Sequence, residues 1–199
     1  MTRSPPVFDR RSPEHRQAGN VARPGRGFTP APGLALFMSH SITPEKRSAA
    51  WAARAAAILD SFRRLLGREL IDRSGDPRED ARRLFELPLG VLAHDTAATP
   101  LLDWANAAAA TAFDASPEEL VGRPSAATAP ADAMADRQEL FSLLRRHGFV
   151  TGYSGTRISA TGRRFVIEDV TVLELRDVCG KPAGHAAIIG KTRPEAAAD

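Results

Sequence analysis

"RRHGFVTGYSGTRISATGRRFVIEDVTVLEL", residues 145–175, reads as the end of a helix followed by two long strands. Gly148 follows His147 as a residue that accepts left-handed backbone, which stops a helix. Phe149–Ser159 and Arg163–Arg176 are rich in β-branched and aromatic side chains, and Ala160-Thr161-Gly162 between them has turn chemistry. Alternation is imperfect in Arg164-Phe165-Val166-Ile167-Glu168, which predicts a bulge or a change of buried face near Asp169. After a second turn at Asp177–Lys181, Pro182–Ile189 supplies a third strand. The last third of the chain is therefore an antiparallel meander.

Upstream of it, Leu89–His94 and Leu101–Ala105 are two short strands around a hairpin loop, Asp95–Pro100. Asn106 is placed to cap a short helix running over alanines to Phe113. Ser116, Pro117 and Glu119 form a capping signature that ends at Gly122, and 123–131 is loop. A longer helix over Asp132–His147 turns Met134, Leu140, Phe141 and Leu144 to the core. Asp76, Pro77 and Glu79 predict a capping box for another helix reaching Glu86. The first helix has Thr43 as N-cap and Pro44 at its first position. Its stripe, Trp51, Ala55, Ile58, Leu59, Phe62, Leu65 and Leu66, recurs at spacings of three and four, and Gly67 ends it.

At 199 residues the chain accommodates one domain of ordinary size. Its net charge of +3 is unevenly spread: residues 1–37 hold +4 and the remainder −1. Nucleic-acid binding by the folded part gains no support from that balance. A lone cysteine, Cys179, excludes an internal disulfide and any multi-cysteine zinc site. No apolar run reaches the ~18 residues of a membrane span, and a cytoplasmic location is the expectation. Residues 1–37, with six prolines and no apolar periodicity, read as a disordered Pro/Arg-rich tail, and Met38 as an alternative start. The expected organisation is that tail, a helical flank over 38–57, a domain over 58–189 and a disordered C-terminal tail over 190–199.

The strand and helix order is that of a PAS domain: α+β, with a five-stranded antiparallel sheet whose middle connection supplies helices covering one face, here preceded by an N-terminal amphipathic helix. Four blocks sharpen the likeness: "FELPLGVLAHDTAATPLLDWAN" (85–106), "SPEELVGRPS" (116–125), the stretch quoted above, and "CGKPAGHAAII" (179–189). They resemble the MEKHLA domain, a PAS-related family of standalone bacterial proteins that also occurs at the C-terminus of plant class III homeodomain-leucine zipper proteins. The likeness covers about Ile58 to Ile189, and the chain departs from the family's pattern at Ala93, Thr99, Trp104 and Leu173. It implies sensing, small-ligand binding and signalling through a protein partner. No cofactor is named by it.

Candidate ligand-binding residues are His94, Trp104, Asn106, Tyr153, Arg157 and Phe165. Each has a structural alternative. His94 is either a pocket or switch histidine or, with Asp95, a capped strand end. Trp104 lines a pocket or fills an aromatic-poor core. Asn106 is most simply the helix cap. Arg157 either pairs with Glu168 across strands or clamps a carboxylate or phosphate with its planar fork. Cys179, in a turn with Gly180, lies outside any motif resembling a flavin-reactive cysteine, and His147 reads as a helix-end charge rather than a haem ligand. No Ser/His/Asp, paired-carboxylate or phosphate-loop arrangement emerges, and "GYSGTR" lacks nucleophile-elbow spacing. The sequence points away from an enzyme and from any metal site. The alternative to a ligand sensor is a ligand-free homodimerisation or protein-interaction module, using Trp51, Ile58, Leu59, Phe62 and Leu66 of the 44–66 helix as its docking face.

Overall fold

The computed structural model describes residues 44–196, with the side chains of 44–48 and 134–136 left out of the description. The expected N-terminal tail, Met38, Thr43 and the Met134 side chain lie outside the described residues.

Two helices come first, α1 (Pro44–Leu66) and α2 (Pro77–Glu86). Gly67 closes α1 with φ +69°, its N–H donating to the Arg63 carbonyl. Asp76 caps α2 by accepting from the Arg78 N–H, but Glu79 does not complete a capping box. Its carboxylate is held instead by Arg82 and Arg83. Then follow β1 (Gly90–His94), β2 (Leu102–Ala105), α3 (Ala107–Ala112), α4 (Pro117–Leu120), two 3-10 turns, α5 (Met134–His147), β3 (Phe149–Ile158), β4 (Arg164–Arg176), β5 (Pro182–Ile189) and β6 (Lys191–Pro194).

The strands form one antiparallel sheet in the order β2-β1-β5-β4-β3, with β6 pairing β4. That is the expected five-stranded sheet plus one strand. β6 corrects the expected C-terminal tail: Lys191–Glu168 to Pro194–Phe165 are in register, and Arg193 donates to Glu168 at 2.6 Å. Its four residues are all exposed, so no hydrophobic alternation betrays it in the sequence.

The bulge expected near Asp169 is present, as φ +53°. Ahead of it Phe165 and Ile167 face one layer; beyond it Val170 and Val172 face the same layer, while Leu173 and Leu175 face the other. One extra residue shifts the two-residue period by one position, and a single long strand serves two cores.

α3, α4 and α5 cover the first layer with Phe113, Leu120, Leu140 and Leu144. α1 and α2 cover the opposite face of the sheet. Ile58, Leu59 and Phe62 are 0–2% exposed there, against Val91, Trp104, Leu173 and Ile188. Trp51 stacks on Trp104 with centroids 4.8 Å apart, and Leu66 packs beside the same core. The stripe expected to be a docking face is thus spent on the molecule's own sheet. An apolar helix face of this width gains most by covering the nearest apolar surface, and residues 90–94 and 173–188 provide one in the same chain.

Candidate functional site

Between α5 and the sheet lies a cavity of about 60 Å³. That exceeds the ~10–15 Å³ that a single ordered water needs. Its walls are largely apolar, with Leu140, Ile167, Val172 and Ile189 among them, and its polar lining is concentrated in Ser125, Thr128, His94, His185, Arg137 and Arg157.

His94 and His185 come from neighbouring strands. They are in register across the β1–β5 pair, with rings 5.2 Å apart. Phe141 of α5 closes against both, edge to face. Gly184 makes this approach possible: at φ +102° it brings β5 so close to the His94 carbonyl that a Cβ would collide with it. His94 Nδ1 lies 2.8 Å from the Asp95 carbonyl, which makes Nδ1 the protonated nitrogen and Nε2 an acceptor. Burial pushes the His94 pKa down, with the Arg137 and Arg54 charges adding to it and the Asp95 bond opposing it. Burial also pushes His185 down, to about 4, with His94 and Arg137 contributing. Both imidazoles are neutral at pH 7, and the buried Nδ1 of His185 has no hydrogen-bond partner among the described residues.

Arg157 enters from β3 and is 6% exposed. It donates to the Thr156 carbonyl at 2.7 Å and the Tyr153 hydroxyl at 3.2 Å, and its guanidinium sits over the Tyr153 ring. Gly155 is the residue this arrangement needs, because a Cβ there would run into the Tyr153 hydroxyl and press on Arg157. That explains the spacing of Tyr153, Gly155 and Arg157 in the quoted stretch. The expected Arg157–Glu168 pair does not form. Arg157 is in register with Phe165, and Glu168 is taken by Arg193 of β6.

Arg137 reaches in from α5, donating to Ser125 Oγ at 2.9 Å and stacking over Phe141. Burial lowers its pKa first, and the like charge of Arg157 lowers it further. Among the described residues neither arginine has a carboxylate partner, and no acidic side chain lines the cavity.

Of the six sequence candidates, His94 and Arg157 meet at the cavity. Tyr153 stands behind Arg157 and positions it. Phe165 backs the wall edge to face with Phe113, centroids 5.1 Å apart. Trp104 is a correction: it points to the opposite face, under Trp51, because β2 turns Leu102 and Ala105 to the cavity layer instead. Asn106 is a second. Its amide is consumed by structure, accepting from the Val91 and Ala109 N–H groups and donating to the Leu87 and Leu89 carbonyls. Arg137, His185 and Phe141 were missed as site residues. His185 carries a readable signal, since it falls in phase with Ala187 and Ile189 on an otherwise apolar strand face.

One more bond ties the site to α1. Arg54 donates to the carbonyls of His94 and Ala183, at 2.8 and 2.7 Å, and pairs with Asp103. Burial raises the Asp103 pKa against the pull of Arg54. No described helix is long and apolar enough to cross a membrane.

The sequence model of the MEKHLA domain family matches residues 52–193, extending the expected span at both ends. Among solved structures, the PAS domain of a protein from Colwellia psychrerythraea aligns with TM-score 0.50 and 18% identity over 59% of this chain and 95% of its own. An RNA-binding light-oxygen-voltage receptor aligns with TM-score 0.50 and 18% identity over 60% of this chain, which spans only 34% of that one. These likenesses show the fold. A search of curated proteins finds no match.

Proposed function

The chain belongs to the MEKHLA domain family, and from that premise we propose that it is a PAS-like sensory domain that binds a small molecule in the cavity under α5 and signals through a protein partner. One observation carries the reading: polar side chains from β1, β3, β5 and α5 converge on a partly open, mostly apolar cavity. Such convergence is the usual anatomy of a small-ligand site. The output route runs through Arg54, whose guanidinium holds the backbone on either side of the two-histidine end of the cavity. A ligand that moves β1 or β5 there changes how α1 is held. The partner then reads the exposed side of α1, its apolar side being covered.

Native mass spectrometry of the protein purified from its own host, paired with hydrogen exchange, tests this. We expect a bound small molecule whose removal speeds exchange in α1 around Arg54. In Arg54→Met the molecule stays bound but α1 no longer responds. A protein that carries nothing, and whose melting no compound in a metabolite panel shifts, would sink the proposal.

A further inference from the structure

Resting on the ligand-binding reading above, we infer that the cavity receives a small carboxylate, its acid group held by the guanidinium groups of Arg137 and Arg157. A buried cation is normally matched by a protein carboxylate, since desolvating a charge without compensation is costly. Elsewhere this protein follows the rule: Arg73 is held by Asp80 and Asp60, and Arg54 by Asp103. Among the described residues the two arginines at the cavity break it together, and each repels the other. Arg157 uses one donor on a carbonyl and one on a phenol, and Arg137 uses one on a serine. Each guanidinium has five N–H donors, so most remain for a ligand.

The rest of the cavity selects among anions. Planar guanidinium forks match the two oxygens of a carboxylate. Leu140, Ile167, Val172 and Ile189 suit a short hydrocarbon body, whereas a phosphate would set a fully hydrated dianion against them. The small volume favours a short-chain occupant. On the β1 wall His94 offers Nε2 as an acceptor, which suits a hydroxyl on the ligand.

Calorimetric titration and thermal unfolding of the full chain with propionate, butyrate, the neutral isostere butyramide and inorganic phosphate test the inference. We expect propionate or butyrate to raise the unfolding midpoint by about 5–10 °C at a hundredfold excess over Kd, and butyramide to leave it unchanged. Arg137→Met and Arg157→Met should each weaken the acid at least tenfold. If the Arg157 variant fails to fold, Arg137→Met, at a half-buried position, decides alone. An acid found co-purifying with the protein and lost in Arg137→Met would equally support the site. Butyramide binding as well as butyrate, or a neutral molecule co-purifying, overturns the carboxylate while leaving the small-ligand reading intact. Phosphate stabilising alone overturns it in favour of an inorganic anion. If no probe binds and nothing co-purifies, both the inference and the reading beneath it fall.

Discussion

On the face covered by α1 and α2, the sheet meets Ile58, Leu59, Phe62 and the Trp51–Trp104 stack, all packed on Val91, Leu173 and Ile188. On the face covered by α5, the same strands present His94, His185 and Arg157 to a cavity. β1, β4 and β5 contribute to both. The difference teaches where selection for something other than stability has acted. A packed apolar layer is what a sheet face adopts when only burial matters. A cavity lined by two neutral histidines and by two arginines that have no carboxylate partner among the described residues costs stability that a ligand can return. The two faces meet at Arg54, which belongs to the packed side and bonds the backbone of the polar one.

The largest expected effect breaks the packed side. Phe62→Ala should cost about 3–5 kcal/mol, since the ring is 2% exposed within the packed layer. Phe141→Ala, whose ring is only partly buried and already borders the cavity, should cost clearly less. Denaturant unfolding of both variants checks the contrast. Equal losses would show that the α5 face is packed as tightly as its opposite.

The packed side was also the more legible one. Its helix announces itself by local spacing, and its strands by short apolar runs between turns. Even the bulge at Asp169 follows from broken alternation inside five consecutive residues. The cavity side depends on contacts between residues far apart in the chain. Arg137 is one polar residue on an amphipathic helix, and nothing local says that it meets Arg157. The cross-strand pair Arg157–Glu168 failed because the register sets Arg157 opposite Phe165 and leaves Glu168 on the other face. β6, too short and too exposed to be read as a strand, supplies Arg193 to Glu168. Gly155 and Gly184 were visible as letters, but their role exists only where Tyr153 and the His94 carbonyl come close.

A smaller effect tests the seam. Asn106 is fully buried and joins α2, β1 and α3 through its side-chain amide. Asn106→Ala removes a helix cap worth about 1 kcal/mol and strands the Val91 N–H and two carbonyls, for a total of about 2–4 kcal/mol. Asn106→Asp keeps the two accepted bonds but sets a buried carboxylate oxygen against the Leu87 and Leu89 carbonyls, and should cost at least as much as Ala. If Ala and wild type unfold alike in urea, the amide does not join the elements as described.

The smallest effect sharpens the contrast through pH. The groups around His185 are His94 on β1, Arg137 on α5, and Glu174 in register on β4, which is itself paired with Arg176. With a folded pKa of about 4 against an ordinary 6.5, His185 is neutral in the fold where the unfolded chain has begun to bind a proton. The unfolded state therefore takes up more protons between those two values, and stability falls as pH drops from about 6.5 to about 4. The carboxylates act in a different window. Glu79, held at about 2 by Arg82 and Arg83, loses its contribution only below about pH 4.5. Melting His185→Leu beside the wild type across pH 4–7 should flatten the upper window by on the order of 1–2 kcal/mol, after allowance for the solvent-facing edge of the ring, and leave the lower one in place. A bound carboxylate favours the protonated imidazole, so it should shift the same window upward in wild type and not in the variant. A pH profile insensitive to both the substitution and the anion would place His185 outside the electrostatics of the cavity, and would leave the two arginines as its sole charged feature.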